Sequence, residues 1–385
     1  MPEVRAVEVQ VDFGFSEEQE LLRSEVRKLL DARAPLEQVR KTMETGPGYE
    51  PDLWRELAEL GWLGLTIPEG FGGAGLGWVD LVVLLQETGR SLFPSPLIST
   101  TLAASAILDA GTEEQKQRWL PSLADGSRIG TLALLEASDS LAPTGIALLG
   151  KADGDAFVLS GQKKFVADAG AANLFVVAFR TGGGPQDLAL GVLDAGAPGV
   201  TASHSATIDA TKRLGTLSLD EARIPKSALL GEPGKAWPAI ERLLDRGAIA
   251  VTAELTGAAD AALSLTVQYA KDRIQFGAPI GKYQGVKHPL AEMYVDLEST
   301  KSLLYYAAWA VAESPSEVPR SASLAKAYGT DAFTRIGIDG VQLHGAVGYT
   351  AEYDIQLYLK RAKWARPAFG DSDFHYERVA CLGGL

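Results

Sequence analysis

The hydrophobic residues of this chain change their spacing twice, near Ile129 and near Trp237, and these changes divide the sequence into three parts. Before Ile129 the apolar residues follow helical spacing, with capping-box sequences at 16–19 and 112–115. Between the two changes, short alternating segments are separated by Gly, Pro and Asp turns. After Trp237 come long Ala/Leu-rich helical segments. The order predicts a helical domain, a β domain and a helical bundle.

This pattern predicts an α+β multidomain fold with an N-terminal helical domain, a middle β-barrel or β-sandwich domain and a C-terminal four-helix bundle. The expected boundaries are 1–12 for an N-terminal extension, 13–128, 129–235 and 236–385. The candidate strands are 129–135, 157–160, 174–178, 188–193, 199–203 and 216–219. The candidate bundle helices are 237–272, 286–312, 321–343 and 351–364.

Composition argues against several classes of partner. The formal net charge is -13, which disfavours nucleic acid and anionic membrane surfaces, so an anionic ligand needs a local basic site. The single cysteine, Cys381, excludes an internal disulfide, and the four histidines lack metal-ligand spacing. No hydrophobic leader and no apolar run of membrane-spanning length stand out in the sequence. We therefore expect a cytoplasmic protein that binds no metal, membrane or nucleic acid.

The stretch 273–284 surrounds a Gly/Pro turn with one arginine, two glutamines and a phenylalanine, between two predicted helices. A guanidinium offers donors suited to phosphate oxygens, and glutamine amides can bond a nucleotide or its ribose. On local chemistry alone, an ordinary helix–helix turn with an exposed arginine is the simpler interpretation.

Four segments resemble the acyl-CoA dehydrogenase family. Arg273-x-Gln275-Phe276-Gly277-x-Pro279-Ile280-Gly281 with Gln284 resembles its Arg-x-x-Phe-Gly…Gln signature. Gln342-x-His344-Gly345-x-x-Gly348-Tyr349 with Glu352 resembles its Gln-x-x-Gly-Gly-x-Gly-Tyr…Glu signature. The segments 159–165 and 68–73 resemble shorter motifs of its β domain and first domain. The resemblance covers the chain from about Phe13, and two helical motifs at the proper separation are more specific than either alone.

The resemblance implies a cofactor and a set of residues that hold it. In this family FAD lies between subunits, and the neighbouring subunit cradles its adenine and pyrophosphate half. The residues implied here are Arg273, Gln275, Phe276, Gln284, Gln342, His344, Gly345 and Gly348. An arginine supplies paired donors to pyrophosphate, and glycines admit close backbone approach. A plain interhelical turn is the alternative for the two glycines, and a structural hydrogen bond is the alternative for His344.

The catalytic positions depart from the family. Its chemistry removes a proton from the α-carbon of an acyl-CoA with a glutamate, while the β-carbon gives a hydride to the flavin. Carried forward from Gln342, the usual glutamate position falls on Phe369; the second known position falls on Gly247. Neither residue accepts a proton. Asp245 matches an aspartate that contacts CoA, and Arg246 is a further substrate-binding candidate, with solvated charge as the alternative for both.

The flavin-ring side also departs from the family. The Trp-x-Thr beside the ring becomes Phe165-Val166-Ala167, and a longer loop has shrunk to 135–139. The ADP-side residues are therefore kept while the ring side is altered. This pattern favours the base-lacking subunit of an α2β2 heterotetramer, which lends its arginine turn to a paralogous catalytic chain. A bulky acyl-CoA thioester is the expected substrate and a flavoprotein the expected electron acceptor.

Two other interpretations stay open. The chain is alternatively a self-sufficient, homo-oligomeric acyl-CoA dehydrogenase whose base has moved to Asp371 or Asp373, although an aspartate is one methylene shorter than glutamate. For these two residues a helix N-cap cluster around Ser372 and Asp373 is the competing explanation. The second alternative is a flavin-free scaffold that has kept the fold.

Overall fold

The computed structural model describes residues 14–384, so the predicted extension 1–12 lies outside the described residues. The first domain is helical, as predicted. Ser16 and Thr112 both form the expected capping boxes, with Gln19 and Gln115 respectively. The short helix after Pro35 was not predicted, because eight residues are too few to establish a period. The helices are α1 (Glu17–Arg33), α2 (Leu36–Met43), α3 (Pro51–Glu59), α4 (Trp78–Arg90), α5 (Leu97–Ala110) and α6 (Glu113–Ala124).

The middle domain consists of two four-stranded sheets that share one buried core. Its strands are β1 (Gly130–Ala133), β2 (Gly150–Asp153), β3 (Ala156–Ala167), β4 (Leu174–Arg180), β5 (Leu188–Asp194), β6 (Val200–Ser205), β7 (Leu214–Pro225) and β8 (Leu229–Leu230). The sheet orders are β1-β4-β5-β8 and β2-β3-β7-β6. The pairing of β3 with β7 shifts register between Lys163 and Val166, which bends β3 where it reaches the candidate site. The six predicted strands are present, and β2 and β8 are additional.

Among the described residues, the last domain contains three long helices followed by two shorter helices of 11 residues each. They are α7 (Trp237–Asp272), α8 (Gln284–Glu313), α9 (Val318–His344), α10 (Ile355–Ala365) and α11 (Ser372–Leu382). A two-residue hairpin, β9 (Ile274–Gln275) and β10 (Ala278–Pro279), joins α7 to α8. The N-cap cluster expected before the last helix is confirmed, although the cap is Asp371 and not Ser372 or Asp373. Asp371 is its N-cap, because its carboxylate accepts the backbone N–H of Phe374.

The first and last domains meet along α4 and α7, where glycine permits close contact. A Cβ at Gly257 would lie 1.7 Å from the carbonyl oxygen of Gln86, and one at Gly89 would lie 1.9 Å from that of Glu254. Only glycine allows these backbones to approach so closely. The helix α7 therefore contacts the first domain while also forming the centre of the bundle.

The expectation that no apolar run reaches membrane-spanning length was wrong for α7. This helix of 36 residues is long and apolar enough to span a bilayer by length and composition. In the folded chain, however, 78% of its most apolar window is buried. The apolar residues of α7 are explained by its central position in the protein.

Candidate functional site

A cavity of about 400 Å³ lies where the three domains meet. Its size is in the range of small-molecule sites, and its wall is mostly apolar. The wall combines residues of α5, the β domain and the last domain; those that carry the argument are Ser99, Phe165, Ala167, Asp168, Lys212, Leu244, Trp364 and Phe369. No single part of the sequence indicated this cavity, because its wall is assembled from distant segments.

The two positions at which the resemblance places a base, Gly247 and Phe369, meet beside this cavity. A Cβ at Gly247 would lie 2.3 Å from Cδ1 of Phe369, so the phenyl ring occupies the space that a side chain at 247 would need. Phe369 has a φ of +56°, which is uncommon for a residue other than glycine. The two expected positions thus converge in space, and an apolar ring fills the point of convergence.

Two buried side chains hold the turn that carries Phe369. The ammonium of Lys326 donates to the carbonyl oxygens of Ala365, Arg366 and Gly370 at 3.0, 3.1 and 2.8 Å. The Nε2–H of His375 donates to the carbonyl oxygen of Phe369 at 2.9 Å. Burial lowers the pKa of Lys326 to about 7 and that of His375 to about 4. These contacts keep Phe369 in its left-handed conformation.

The carboxylates proposed as displaced bases lie in the first turn of α11. Asp371 caps that helix through the N–H of Phe374 at 2.9 Å, and Asp373 is exposed. Neither belongs to the cavity wall. Asp139 does belong to it, and burial together with the nearby Asp371 raises the pKa of Asp139.

The two segments that the resemblance places beside the flavin ring, 165–167 and 135–139, are held by contacts within the protein. Phe165 has a φ of +54°, is 50% exposed and forms part of the wall, and Ala167 brings no hydroxyl group. The shortened loop is held by Glu136, whose Oε1 accepts from Lys163 Nζ at 2.7 Å and from the backbone N–H groups of Ala147 and Leu148. Burial lowers the pKa of Lys163 to about 8. The Glu136 carboxylate therefore stabilises the loop 135–139 through these hydrogen bonds and is not directed at a ligand.

A buried network of charges closes the cavity on the side of α7 and α10. Lys212 donates to Glu254 at 2.7 Å, and the Nε of Arg361 donates to Asp209 at 2.6 Å. The Nη1 of Arg361 also lies 3.5 Å from Glu254. All four side chains are nearly inaccessible to solvent. The network joins the loop after β6 to both helices and so joins the β domain to the bundle.

Asp168 is the most perturbed carboxyl in the cavity wall. The Ser99 hydroxyl donates to its Oδ2 at 2.6 Å. Burial raises the pKa of Asp168 from 3.8 to about 6, although Ser99 and Lys212 act in the opposite direction. A carboxylate at this point is costly because the half-buried side chain is only partly hydrated.

Because ionising Asp168 is unfavourable in the folded protein, we expect Asp168→Asn to change stability in a pH-dependent way. A raised pKa means that the folded protein binds the proton more tightly than the unfolded chain, so this contribution to stability is lost as the pH rises through about 6. We expect the variant to be more stable than the wild type by roughly 2–3 kcal/mol at pH 8, and by almost nothing near pH 4. Urea denaturation at both pH values measures this. An equal difference at the two values would contradict it.

The predicted nucleotide residues lie away from the cavity, at one end of the bundle. None of them belongs to the cavity wall. The arginine turn and the Gln342 turn adjoin each other there, because Tyr269, one helical turn before Arg273, contacts His344 at a ring-centroid distance of 4.4 Å. Arg273, Gln275, Phe276, Gln284, Gln342 and Gly345 are exposed, whereas His344 and Gly348 are buried.

The exposed arginine turn has free polar groups and an unusual apolar residue. Within residues 14–384 the guanidinium of Arg273 makes no hydrogen bond or ion pair. Phe276 is 92% exposed at a φ of +51°, and Gly277 follows at +76°. A side chain this apolar and this exposed marks a surface suited to contact with another molecule. The structure is compatible with the predicted role of these residues, which stays a prediction.

The substrate-binding candidates on α7 are both engaged in ion pairs. Asp245 is 2% exposed and pairs with Arg378 of α11, and burial raises its pKa. Arg246 pairs with Asp109 and lies 5.8 Å from the ring centre of Trp78. The alternative interpretation, that Asp245 is a solvent-exposed charge, is therefore wrong. Contact with CoA stays a prediction for both residues.

Sequence reasoning missed Lys326, Arg361 and Asp168. Two of them left a signal, since Lys326 interrupts a run of small and apolar residues and Arg361 lies three residues after Tyr358 on the core face of α10. A charge on a core face indicates a buried ionic contact. Across residues 14–384, no group of three or more His, Cys, Asp or Glu residues is arranged to hold a metal ion.

Comparison with known proteins identifies the family of the chain. Residues 16–127 match the acyl-CoA dehydrogenase N-terminal domain, and residues 234–381 match the C-terminal domain. The acyl-CoA dehydrogenase IpdE2 of Mycolicibacterium smegmatis is 35% identical over 358 residues, 92% of this chain and 96% of that protein.

Two solved structures extend the similarity to the whole fold. The Tcur3481-Tcur3483 steroid ACAD has a TM-score of 0.86 at 33% identity, covering 96% of this chain and 98% of the other. The ChsE4-ChsE5 complex of Mycobacterium tuberculosis has a TM-score of 0.88 at 28% identity, covering 97% and 99%. The chain therefore belongs to the acyl-CoA dehydrogenase family, whose members are FAD-dependent oxidoreductases.

Proposed function

We propose that this chain is the base-lacking subunit of a two-chain acyl-CoA dehydrogenase. It lends the arginine turn (273–284) and the Gln342 turn (342–349), together called the nucleotide turns, to a paralogous catalytic partner. The observation that carries the proposal is the contact between Gly247 and Phe369. A side chain at position 247 would meet the ring of Phe369, which itself lines the cavity, so the two positions implied by the resemblance converge at one point. The ring of Phe369 occupies that point, so proton abstraction there has no acceptor.

The nucleotide turns fit the ADP half of FAD. Arg273 offers a guanidinium that no carboxylate of residues 14–384 neutralises, and pyrophosphate is a suitable bidentate acceptor for it. Gln284, Gln342 and the backbone at Gly345 are exposed beside it. When bound, FAD supplies the hydride acceptor for α,β-desaturation. The role of this chain is to bind and orient the distal half of that cofactor across the interface.

The exposed aromatic residues of the nucleotide turns also support the proposal that a second chain binds there. Phe276 at 92% exposure and Tyr349 at 73% exposure both belong to the two nucleotide turns, and covering them favours association. Two of the similar structures, ChsE4-ChsE5 and Tcur3481-Tcur3483, are named as pairs of chains, and the second is a steroid enzyme. We accordingly propose a heterotetramer in the cytoplasm, a bulky steroid-like acyl-CoA thioester as substrate and a flavoprotein as electron acceptor.

The test compares the chain alone with the chain co-purified with its paralogous partner. We expect no acyl-CoA-dependent dye reduction by the chain alone, and both flavin absorbance and turnover by the pair. Flavin together with turnover in the isolated chain would contradict the proposal. A pair that contains no flavin would favour the scaffold interpretation.

The substitution Asp371→Asn tests the alternative that this chain is a self-sufficient enzyme with a displaced base. Asparagine is as good an N-cap as aspartate, so the start of α11 should be preserved while the carboxylate is removed. We expect turnover of the pair to change less than about twofold, because no proton transfer passes through this group. A loss of at least about a hundredfold would identify Asp371 as the base. Asp373→Asn is the parallel test for the exposed neighbour, with the same expectation.

A further inference from the structure

We infer that Tyr269 and His344 are positioning residues for the lent nucleotide site, because their contact sets the placement of the arginine turn relative to the Gln342 turn. The inference rests on the proposed function and goes beyond it, since neither side chain needs to touch the nucleotide. It concerns the ends of α7 and α9, where the two turns begin.

The contact is an enclosed aromatic cluster. His344 is 2% exposed, and its ring lies 4.4 Å from that of Tyr269 with 30° between the planes. Tyr353 lies 5.1 Å from His344 and 6.2 Å from Tyr269. The three rings therefore form a triangle in which the buried imidazole contacts both phenol rings, and rings packed in this way restrict sliding of one helix end against the other.

Hydrogen bonds fix the orientation of the Tyr269 and His344 rings. The Tyr269 hydroxyl donates to the carbonyl oxygen of His344 at 3.2 Å, which links the last turn of α7 to the last residue of α9. The Nδ1–H of His344 donates to the carbonyl oxygen of Gly340 at 2.7 Å and orients the ring. Its Nε2 is buried and has no hydrogen-bond partner within residues 14–384. Nε2 therefore does not present the histidine to a ligand at the surface, which agrees with a positioning role.

Tyr269 and His344 are each directly connected to a nucleotide turn. The backbone N–H of Arg273 donates to the carbonyl oxygen of Tyr269 at 2.9 Å. Gly345 follows His344 with a φ of +63°, and a Cβ at Gly348 would lie 2.4 Å from the carbonyl oxygen of Val341. These constraints make both turns rigid extensions of their helices. Moving one helix end would therefore separate groups that must act on the same ligand.

The experiment measures FAD binding to the complex of this chain with its partner. Tyr269→Leu removes the ring and the hydroxyl, and we expect it to raise the Kd for FAD about threefold to tenfold. Tyr269→Phe keeps the ring and should have a smaller effect in the same direction. The turns hold the ADP half only, so kcat at saturating FAD should equal that of the wild type. Excess FAD should thus rescue the activity of both variants.

Tyr305 provides a matched control on α8. Its ring lies 4.7 Å from Phe15, and its hydroxyl donates to Gln86 at 3.3 Å, so it makes the same kinds of contact away from the turns. Tyr305→Leu and Tyr305→Phe should lower the melting temperature about as much as the Tyr269 variants do. They should leave the Kd for FAD unchanged, which separates positioning from general stability.

Arg273→Ala distinguishes failure of the inference from failure of the proposed function. If Arg273→Ala raises the Kd for FAD but Tyr269→Leu matches Tyr305→Leu, the positioning role is overturned and the proposed function stands. If Arg273→Ala leaves the Kd unchanged, the turns hold no nucleotide and both are overturned. A fall in kcat that excess FAD does not restore would also overturn the positioning role.

Discussion

Replacing Arg273 with alanine should empty the flavin site of the two-chain complex, raising the Kd for FAD by at least about thirtyfold. A guanidinium paired with pyrophosphate in a covered interface makes charge-assisted hydrogen bonds, and its removal costs about 2–5 kcal/mol. Within residues 14–384 Arg273 has no protein partner, so the substitution breaks no ion pair of the folded chain. Flavin absorbance after gel filtration and a fluorescence titration with FAD measure the effect.

The control is Arg320→Ala, which makes the same charge change on an exposed part of α9. Arg320 and His344 are separated by 24 helical positions, about 36 Å along the axis. The control should bind FAD like the wild type. Equal flavin content in both variants would refute the role of Arg273, whereas equal losses would show a general effect of positive charge.

Arg361→Met should lower the free energy of unfolding by about 3–5 kcal/mol, because it leaves Asp209 as a buried acid without its cationic partner, while Glu254 keeps only Lys212. Arg361 is fully buried and also contacts the hydroxyl of Thr211. Methionine retains much of the stem volume, so the loss reports mainly on charge and hydrogen bonding. Urea denaturation followed by circular dichroism measures the change.

A surface pair supplies the matched control for this substitution. Arg335 donates to Asp296 through Nε and Nη2 at 3.0 and 2.8 Å, but its side chain is 51% exposed. Arg335→Met should therefore cost at most about 1 kcal/mol. Similar losses in the two variants would mean that the buried network contributes no more than an exposed ion pair.

Much of the architecture followed from local patterns in the sequence. The capping boxes at Ser16 and Thr112 and the change of period near Trp237 gave correct helices, because caps and amphipathic spacing act over a few residues. The short helix α2 and strand β8 were missed since neither is long enough to show a period. An N-cap cluster that includes Asp371 was expected before α11, but the sequence did not single out Asp371, because Ser372 and Asp373 are also suitable caps.

The candidate site could be predicted only in part. The motif positions of Gly247 and Phe369 were available from the register of the chain, but their contact across the cavity was not. Lys326 and Asp168 act through partners far away in sequence, such as Ala365 and Ser99. Long-range contacts of this kind depend on how domains pack, and hydrophobic spacing within a helix or strand carries no information about them.

The sequence by itself determined the three-part architecture and the family, because these depend on residue identity and local spacing, and it led to the prediction that Phe369 and Gly247 stand where the family carries its base. Only the tertiary structure decided that these two positions meet and where the predicted nucleotide turns lie. It packs Phe369 against Gly247, and it places Tyr269 against His344 so that the two turns share one end of the bundle, outside the cavity wall. The physical reason is that a site is a set of distances between side chains, and these distances exist only after the helices and sheets have packed together.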